Sequence, residues 1–169
     1  MSNDNHHIRV YTDMVGDLFH WGHVTFLERA RQLGTELWVG VHADDDVAQF
    51  KRRPIMNYEE RLAVIAACRH VDAIVPAAPL VITDELLDAH EIDVVVHGDD
   101  FSPEVLRAVY GVPLRRGMLR TLPYSRGIST TEIITRMLDR RLDVSQVPAE
   151  ANGALAALRT TTARADSAA

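Results

Sequence analysis

The sequence predicts an α/β protein: a Rossmann-like three-layer sandwich with a five-stranded parallel sheet. Five apolar runs of strand length alternate with five amphipathic stretches of helical length, which is the pattern of repeated βαβ units. The run Ile92–Val96 (IDVVV) is almost entirely β-branched, as expected of a strand that helices cover on both faces. Right-handed crossovers then place the helices on both sides of the sheet. Ligands of such sheets bind at the carboxyl ends of the strands, so chemistry is expected just after Val15, Val41, Val96 and Leu122.

The N-terminal part of the chain predicts a strand, a helix and a second strand. Ile8–Val15 is apolar and strand-like, and Val24–Leu33 repeats apolar residues at helical spacing until Gly34 ends the helix. Leu37–Val41 is the second apolar run. Together these segments predict the first βαβ unit.

The remaining elements alternate in the same way. Helices are predicted at Tyr58–Arg69, Asp84–His90 and Pro103–Tyr110, and strands at Val71–Val75, Ile92–Val96 and Met118–Leu122. A last helix is predicted at Thr131–Arg141, directly after the turn-forming residues Gly127-Ile128-Ser129-Thr130.

Composition excludes several classes of protein. The chain has 169 residues, 47% of them hydrophobic and 25% charged, as in an ordinary globular domain. A net charge of -6 disfavours a nucleic-acid binder, and the single cysteine, Cys68, excludes an internal disulfide framework. No apolar run approaches the roughly 20 residues that span a bilayer. A cytoplasmic protein that binds neither nucleic acid nor membrane is therefore expected.

The C-terminal segment differs in composition from the rest of the chain. All aromatic residues lie between Tyr11 and Tyr124, whereas residues 144–169 are rich in alanine, serine and threonine. We therefore predict a catalytic domain at residues 1–143 and a linker-like or disordered tail at residues 144–169. An ordinary frayed terminus explains the same composition.

The motif with the clearest chemistry is His20-Trp21-Gly22-His23. It lies between the first predicted strand and the first predicted helix, and its two histidines are three residues apart, so both imidazoles project to one side of the first helical turn. Gly22 allows a ligand to approach the backbone, and a helix N-terminus attracts anions. This combination suits the phosphates of a nucleotide.

The motif has the form HxGH, the signature of the nucleotidyltransferase superfamily. Further motifs resemble those of the ethanolamine-phosphate cytidylyltransferases, in the same order and over about residues 8 to 140. They are Val39-Gly40-Val41-His42-Ala43-Asp44-Asp45-Asp46 leading to Lys51, Pro54-Ile55-Met56-Asn57, Glu60-Arg61, Cys68-Arg69-His70-Val71-Asp72, Val75-Pro76-Ala77-Ala78-Pro79, Val96-His97-Gly98-Asp99-Asp100 and Gly127-Ile128-Ser129-Thr130-Thr131.

The resemblance implies a reaction without a covalent enzyme intermediate. An oxygen of a small phosphorylated alcohol or phosphonate attacks the α-phosphorus of CTP, pyrophosphate leaves, and Mg²⁺ accompanies the triphosphate. Positioning and charge neutralisation carry such a transfer. The resemblance also implies a homodimer, with the CRHVD segment near its interface.

Site residues follow from the same resemblance. The implied catalytic residues are His20, His23, Lys51 and Arg69. The implied nucleotide-binding residues are Asp17, Gly22, Gly98, Asp99, Arg126, Gly127, Ile128, Ser129 and Thr130, with Asp44 a weaker candidate. Acceptor binding is predicted for Trp21, His97 and Asp100, which supply aromatic and acidic groups. Some of these residues also have an ordinary structural explanation. Lys51 is then a solvated surface lysine, Arg69 a helix-end cation, and Ser129 or Thr130 a helix cap.

Two positions depart from the family pattern. In the first loop, Met14 and Gly16 occur where the family has glycine and an aromatic residue. In the last motif, Tyr124 replaces a phosphate-binding arginine, and Arg126 is expected to supply the charge unless it is merely an exposed arginine. These departures bear on the acceptor more than on the reaction.

The acceptor is the least determined feature. Relatives also activate phosphonates with CTP in antibiotic pathways such as fosfomycin biosynthesis, where the domain is fused to a phosphoenolpyruvate-mutase domain. The linker-like tail suits such a fusion to a further C-terminal domain, and 2-hydroxyethylphosphonate is the preferred acceptor on this ground. The alternatives are phosphoethanolamine or another phospho-alcohol, an enzyme that uses ATP, and a non-catalytic nucleotide-binding module.

Overall fold

A parallel sheet flanked by helices forms the described part of the chain. The computed structural model describes residues 7–123 and 127–140. Its strands are β1 (Arg9–Met14), β2 (Glu36–Val41), β3 (Ala73–Pro76), β4 (Val94–Gly98) and β5 (Leu119–Leu122). Its helices are α1 (Trp21–Arg31), α2 (Asp44–Val47), α3 (Tyr58–Ala66), α4 (Asp84–Ala89), α5 (Pro103–Val109), α6 (Gly111–Arg115) and α7 (Thr130–Asp139).

The strand order confirms the predicted fold class. All neighbouring strands pair in parallel, in the order β3-β2-β1-β4-β5. The chain therefore adds strands to one side of β1, returns, and adds the last two on the other side. The reversal lies between β1 and β4, which is where ligands bind in sheets of this kind.

Element boundaries follow local capping chemistry. The α3 helix begins where the Asn57 side chain accepts a hydrogen bond from the Glu60 amide, and the Glu60 carboxylate accepts one from the Asn57 amide. The α5 helix begins after the cap Ser102, with proline in its first turn. The short helices α2 and α6 were not predicted, because four or five residues are too few to establish a helical period.

Two apolar clusters cover opposite faces of the sheet. Adjacent residues of β1 divide between them: Val10 packs with Leu27 of α1 and Ile65 of α3, whereas Tyr11 packs in the other cluster. Val95 and Val96 of β4 divide in the same way. Side chains that alternate along a strand point to opposite faces, so both faces of the sheet are buried as the sequence predicts.

A buried arginine holds the carboxyl ends of β1 and β2 together. Arg61 of α3 is 0% exposed. Its guanidinium donates hydrogen bonds to the Val15 carbonyl at 2.5 Å, to the His42 carbonyl at 2.8 Å and to the Asp44 carboxylate at 2.6 Å. Asp44, a weaker nucleotide-binding candidate, is thus engaged in a structural ion pair and also accepts a hydrogen bond from the Tyr58 amide.

The last helix crosses a division of the chain. The chain divides into two units after Ile133, within α7, and the structure describes residues 134–140 of the second. The predicted tail at residues 144–169 lies outside the described residues. Among the helices of the described ranges, none has the length and apolar character needed to cross a membrane.

We expect Arg61→Met to lower the free energy of unfolding by about 3 kcal/mol, because it leaves two buried carbonyls and a carboxylate without their donor. Urea denaturation measures this change. The control is Arg107→Met, since the Arg107–Glu104 pair is largely exposed and such pairs contribute little, so a change within about 0.5 kcal/mol is expected. Equal destabilisation by the two variants would contradict the structural role of Arg61.

Candidate active site

A cleft of about 540 Å³ opens at the carboxyl ends of β1 and β4. This volume suits a ligand the size of a nucleotide or a drug-like molecule. The cleft is built from the end of β1 and the loop after it, the start of α1, the loop after α2, the end of β4, and the start of α7. The predicted site residues that line it are Asp17, His20, Gly22, His23, Lys51, His97, Gly98, Asp100, Ile128, Ser129 and Thr130.

His20 and His23 form a reciprocal cap at the start of α1. The His20 Nδ1 accepts a hydrogen bond from the Gly22 amide at 3.1 Å, and the His23 Nδ1 accepts one from the His20 amide at 3.2 Å. A nitrogen that accepts from an N–H carries no proton, so each neutral imidazole holds its proton on Nε2. Both rings are therefore fixed as Nε2–H donors, with their centroids 3.9 Å apart.

Both histidines are neutral at physiological pH. Burial lowers the pKa of His23 to about 4, helped by the nearby His20 and opposed by Asp17. Burial also lowers the pKa of His20, against the opposing charge of Glu132. Neutral Nε2–H groups donate hydrogen bonds to phosphate oxygens without releasing a proton, which suits stabilisation of developing negative charge.

Gly22 is required by close packing between the His20 ring and the Ile128 side chain. A Cβ atom at this position would lie 3.0 Å from the His20 ring and 3.2 Å from the Ile128 side chain. Both distances are tighter than ordinary contacts, so any larger residue pushes His20 or the start of α7 away. The absence of a side chain at Gly22 therefore lets the HWGH segment pack closely against the GISTT segment, and both segments line the cleft.

Asp17 clamps the loop that carries Lys51. One carboxylate oxygen accepts hydrogen bonds from the Ile55 and Met56 amides, both at 3.0 Å, and the other pairs with Arg52 at 2.8 Å. Burial raises the pKa of Asp17, but these hydrogen bonds and the Arg52 charge outweigh it and hold the pKa below 3.8. The carboxylate is thus charged in the neutral range, and its stabilisation is lost only as the pH falls through that lowered pKa.

The start of α7 also lines the cleft. Ser129 caps the helix, since its hydroxyl accepts a hydrogen bond from the Glu132 amide at 3.1 Å. This residue therefore has the helix-capping role that its sequence position allows. The Thr130 hydroxyl donates to the Asp17 carbonyl at 2.8 Å. Amides of the first helical turn have no partner within the helix and favour anions, and Ser129, Thr130 and Thr131 line the cleft.

Gly16 explains one departure from the family pattern. Its backbone has a φ of +69°, a left-handed conformation that favours glycine, whereas Met14 ends β1 in extended conformation. The loop thus turns at Gly16, and Met14 needs no conformational freedom. Both residues line the cleft.

Sequence reasoning missed Asp13. This residue of β1 is 7% exposed and lines the cleft. One of its oxygens accepts a hydrogen bond from the Tyr110 hydroxyl at 2.5 Å, while the other, Oδ2, is buried and has no hydrogen-bond partner among residues 7–123 and 127–140. An acid within a largely buried strand was the available signal, because such a residue is rarely buried without a partner.

Aromatic rings surround this acidic end of the cleft. His97 lies 4.1 Å from Phe101 and 4.8 Å from Tyr110, measured between ring centroids. Burial raises the pKa of Tyr110 far above its usual value, and the Asp13 charge adds to this. Tyr110 is therefore always a hydroxyl donor. A half-satisfied carboxylate beside aromatic rings favours a cationic ligand group.

Several predicted site residues do not line the cleft. Arg69 lies beyond the end of α3 and is exposed, with its Nε near the His70 ring. Trp21 occupies the first position of α1, is 51% exposed and lies beside Gly127 rather than near Asp13. Asp99 follows β4, where its amide donates to the Leu122 carbonyl. Arg126 lies outside the described residues.

The sequence of this chain matches the model of a known protein family. The family described as Cytidylyltransferase-like matches residues 16–136, which include every segment of the cleft except the end of β1. The chain belongs to the cytidylyltransferase-like family.

Individual relatives place this cytidylyltransferase-like chain beside enzymes of phospho-alcohols. It is 42% identical to the ethanolamine-phosphate cytidylyltransferase of Dictyostelium discoideum over 132 residues, or 78% of this chain and 37% of the relative. It is 40% identical to the mouse enzyme of the same name, over 80% of this chain and 34% of the relative. Choline-phosphate cytidylyltransferase A of Rattus norvegicus is also 40% identical, over 78% and 36%. The chain thus spans about a third of the length of these relatives.

Solved structures share the fold of the cytidylyltransferase-like chain. A lipopolysaccharide core biosynthesis protein from Thermoplasma volcanium superposes with a TM-score of 0.57 at 25% identity, covering 72% of this chain and 98% of that one. Pantothenate synthetase from Thermus thermophilus has a TM-score of 0.50 at 14% identity, over 76% and 62%. The second likeness shows the fold alone.

We expect His20→Ala and His23→Ala each to lower kcat by about 10²–10³-fold, the usual loss when a preorganised donor is removed. His23→Gln should retain part of the rate, because its amide supplies a neutral N–H near the Nε2 position. Pyrophosphate release from CTP measures the rates. The control is His90→Gln, whose ring contacts Trp38 at the other end of the sheet.

The same assay across pH tests the charge state. Burial lowers the pKa of both imidazoles, so neither ring changes charge between pH 7 and pH 9. Any change of kcat over this pH range in the wild type should therefore persist in the alanine variants. An unchanged rate in His20→Ala would contradict the catalytic assignment.

We expect Asp17→Asn to release the loop around Lys51, because the amide cannot pair with Arg52 while accepting the two loop amides. Limited digestion with trypsin measures this directly: cleavage after Lys51 and Arg52 should accelerate about tenfold, the change that corresponds to about 1.4 kcal/mol. Asp45→Asn is the matched control, since the Asp45–Arg53 pair is exposed. Similar cleavage rates in the two variants would show that Asp17 is not the clamp.

Proposed function

We propose that this chain transfers CMP from CTP to phosphoethanolamine and releases pyrophosphate. A phosphate oxygen of the acceptor attacks the α-phosphorus of CTP, the bond from that phosphorus to the bridging oxygen of the β-phosphate breaks, and pyrophosphate carries away the electron pair. The family match and the named relatives support the reaction class, and the cleft supports the choice of acceptor.

The phosphate side of the cleft supplies donors of two kinds. His20 and His23 present neutral Nε2–H groups, and the first turn of α7 presents backbone amides. Lys51 adds a point charge at the mouth of the cleft, held there by the clamp at Asp17. These groups stabilise the charge that develops on the transferring phosphoryl group by position alone, since none of them transfers a proton.

The buried Oδ2 of Asp13 carries the choice of acceptor. An unpaired buried carboxylate oxygen is costly unless a ligand supplies a donor. The primary ammonium of phosphoethanolamine donates N–H bonds and neutralises the charge, whereas a quaternary ammonium has no N–H to donate. Phosphoethanolamine therefore satisfies Asp13 better than phosphocholine does.

The expectation of 2-hydroxyethylphosphonate finds no support. This acceptor has no cation to offer Asp13, and the relatives above are named for ethanolamine phosphate and choline phosphate. The alternative stated at the sequence level, phosphoethanolamine, is the better fit. His97 and Asp100 line the same end of the cleft, in agreement with acceptor binding, while Trp21 lies elsewhere.

Mg²⁺ is proposed as the companion of CTP rather than as a resident metal. The described ranges contain no group of three or more His, Cys, Asp or Glu side chains arranged to hold a metal ion, and the Asp17 oxygens are both engaged. Magnesium in such reactions is held largely by substrate phosphates and water. The cytoplasmic location, the homodimer and the fused C-terminal domain stay predictions from the sequence.

We expect phosphoethanolamine to react with a kcat/KM about 10²-fold higher than that of 2-hydroxyethylphosphonate or phosphocholine, because only its N–H groups pair with the buried oxygen. Asp13→Asn should raise the KM for phosphoethanolamine about tenfold and leave the KM for CTP within about twofold. Asp45→Asn is the control: that carboxylate is exposed and does not line the cleft, so both KM values should stay within about twofold. Faster turnover of the phosphonate would overturn the choice of acceptor, and absence of pyrophosphate release with every acceptor would overturn the proposed reaction.

A further inference from the structure

A buried histidine with no role in the proposed reaction lies next to Asp13. His42 directly follows β2 and is 7% exposed. Its amide donates to the Met14 carbonyl at 3.3 Å, so it is held against the end of β1. Its ring lies between the Ala78 carbonyl, 2.9 Å from Nδ1, and the Asp13 carboxylate.

The contacts of His42 identify which nitrogen titrates. A carbonyl oxygen only accepts hydrogen bonds, so the Nδ1 that faces Ala78 carries a proton in both the neutral and the charged ring. The Nε2 is therefore the atom that gains or loses a proton. It lies 4.0 Å from the Asp13 Oδ1, the same oxygen that accepts from Tyr110.

The other titratable groups around His42 have fixed charge states. Burial raises the pKa values of Tyr11 and Tyr110 far above their usual value, and the Asp13 charge raises them further. Both phenols are therefore neutral.

On the side of α3, the charge of Arg61 is paired with Asp44 while its guanidinium also donates to the His42 carbonyl. Tyr58 is held by a hydrogen bond from the Ala77 amide. His42 is thus the imidazole of this cluster whose ring faces Asp13 directly.

We propose that His42 is a specificity-determining residue that sets how strongly Asp13 attracts the ammonium group of the acceptor. This inference rests on the proposed function. With neutral His42, the charge of Asp13 is available to the ammonium at Oδ2. With protonated His42, the imidazolium pairs with Oδ1 and competes for the same charge. By linkage, a bound ammonium opposes protonation of His42 to the same degree.

The test compares phosphoethanolamine with ethyl phosphate, which has the same chain length and no cation. In the wild type, the preference for phosphoethanolamine, measured as the ratio of the two kcat/KM values, should fall about tenfold between pH 8 and pH 5.5 relative to His42→Asn. The asparagine amide keeps an N–H for the Ala78 carbonyl and removes the titrating nitrogen. Ionisation of the acceptors' own phosphates is common to both proteins and cancels in this comparison.

His97→Asn is the matched comparison, because His97 is the other imidazole at this end of the cleft. It should keep the pH dependence of the preference. A merely structural role for His42 would change the rates or the melting temperature of His42→Asn without flattening the preference. The inference fails if the preference depends on pH equally in wild type and His42→Asn, or if only His97→Asn flattens it.

A second measurement needs no variant. Nuclear magnetic resonance of the histidine rings in the wild-type chain should show the His42 titration moving to lower pH by about one unit when phosphoethanolamine saturates the protein, and not when ethyl phosphate does. An unmoved titration overturns the role of His42 even where turnover of phosphoethanolamine is intact. Absence of turnover overturns the proposed function instead, and the inference with it.

Discussion

The buried guanidinium of Arg61 is the contact on which the cleft depends. It joins three pieces of chain: the residue after β1, the segment from His42 to Asp44 after β2, and α3, to which Arg61 belongs. Backbone carbonyls at strand ends have no ladder partner, and burying them without a donor is costly. Because one side chain satisfies two of them, the loops that follow β1 and β2 start from fixed positions. Asp13, Asp17 and His42 inherit their placement from this arrangement.

Asp17 extends the same principle from the sheet to the loops. Its carboxylate holds the loop that carries Lys51, and its carbonyl accepts from Thr130 at the start of α7. The loop after β1 thus holds both the loop that carries Lys51 and the start of α7. All three segments line one cleft, so a loss of order at Asp17 affects them together.

The cleft is electrically polarised although the chain has a net charge of -6. Neutral histidine donors, Lys51 and the first turn of α7 line the same cleft as Asp13. Under the proposed function, the donors bind the anionic nucleotide and Asp13 binds the ammonium group of the acceptor. Recognition is local, which is why the overall acidity excludes a nucleic-acid polymer without excluding a nucleotide.

The sequence by itself determined the sheet, its five strands and the HWGH, Lys51 and GISTT elements, because period, capping residues and motif order are local properties. It did not determine the role of Asp13. Tyr110, 97 positions away in the sequence, donates a hydrogen bond to one oxygen of this carboxylate, and the other oxygen is buried without a partner among the described residues. Nor did it separate His97, which lines the cleft, from Trp21, which points elsewhere from its place at the helix start. The clamp at Asp17 and the pairing of Arg61 with strand carbonyls belong to tertiary structure too. Burial, and the pKa values that follow from it, depend on which distant residues pack together, and that is decided only when the chain is folded.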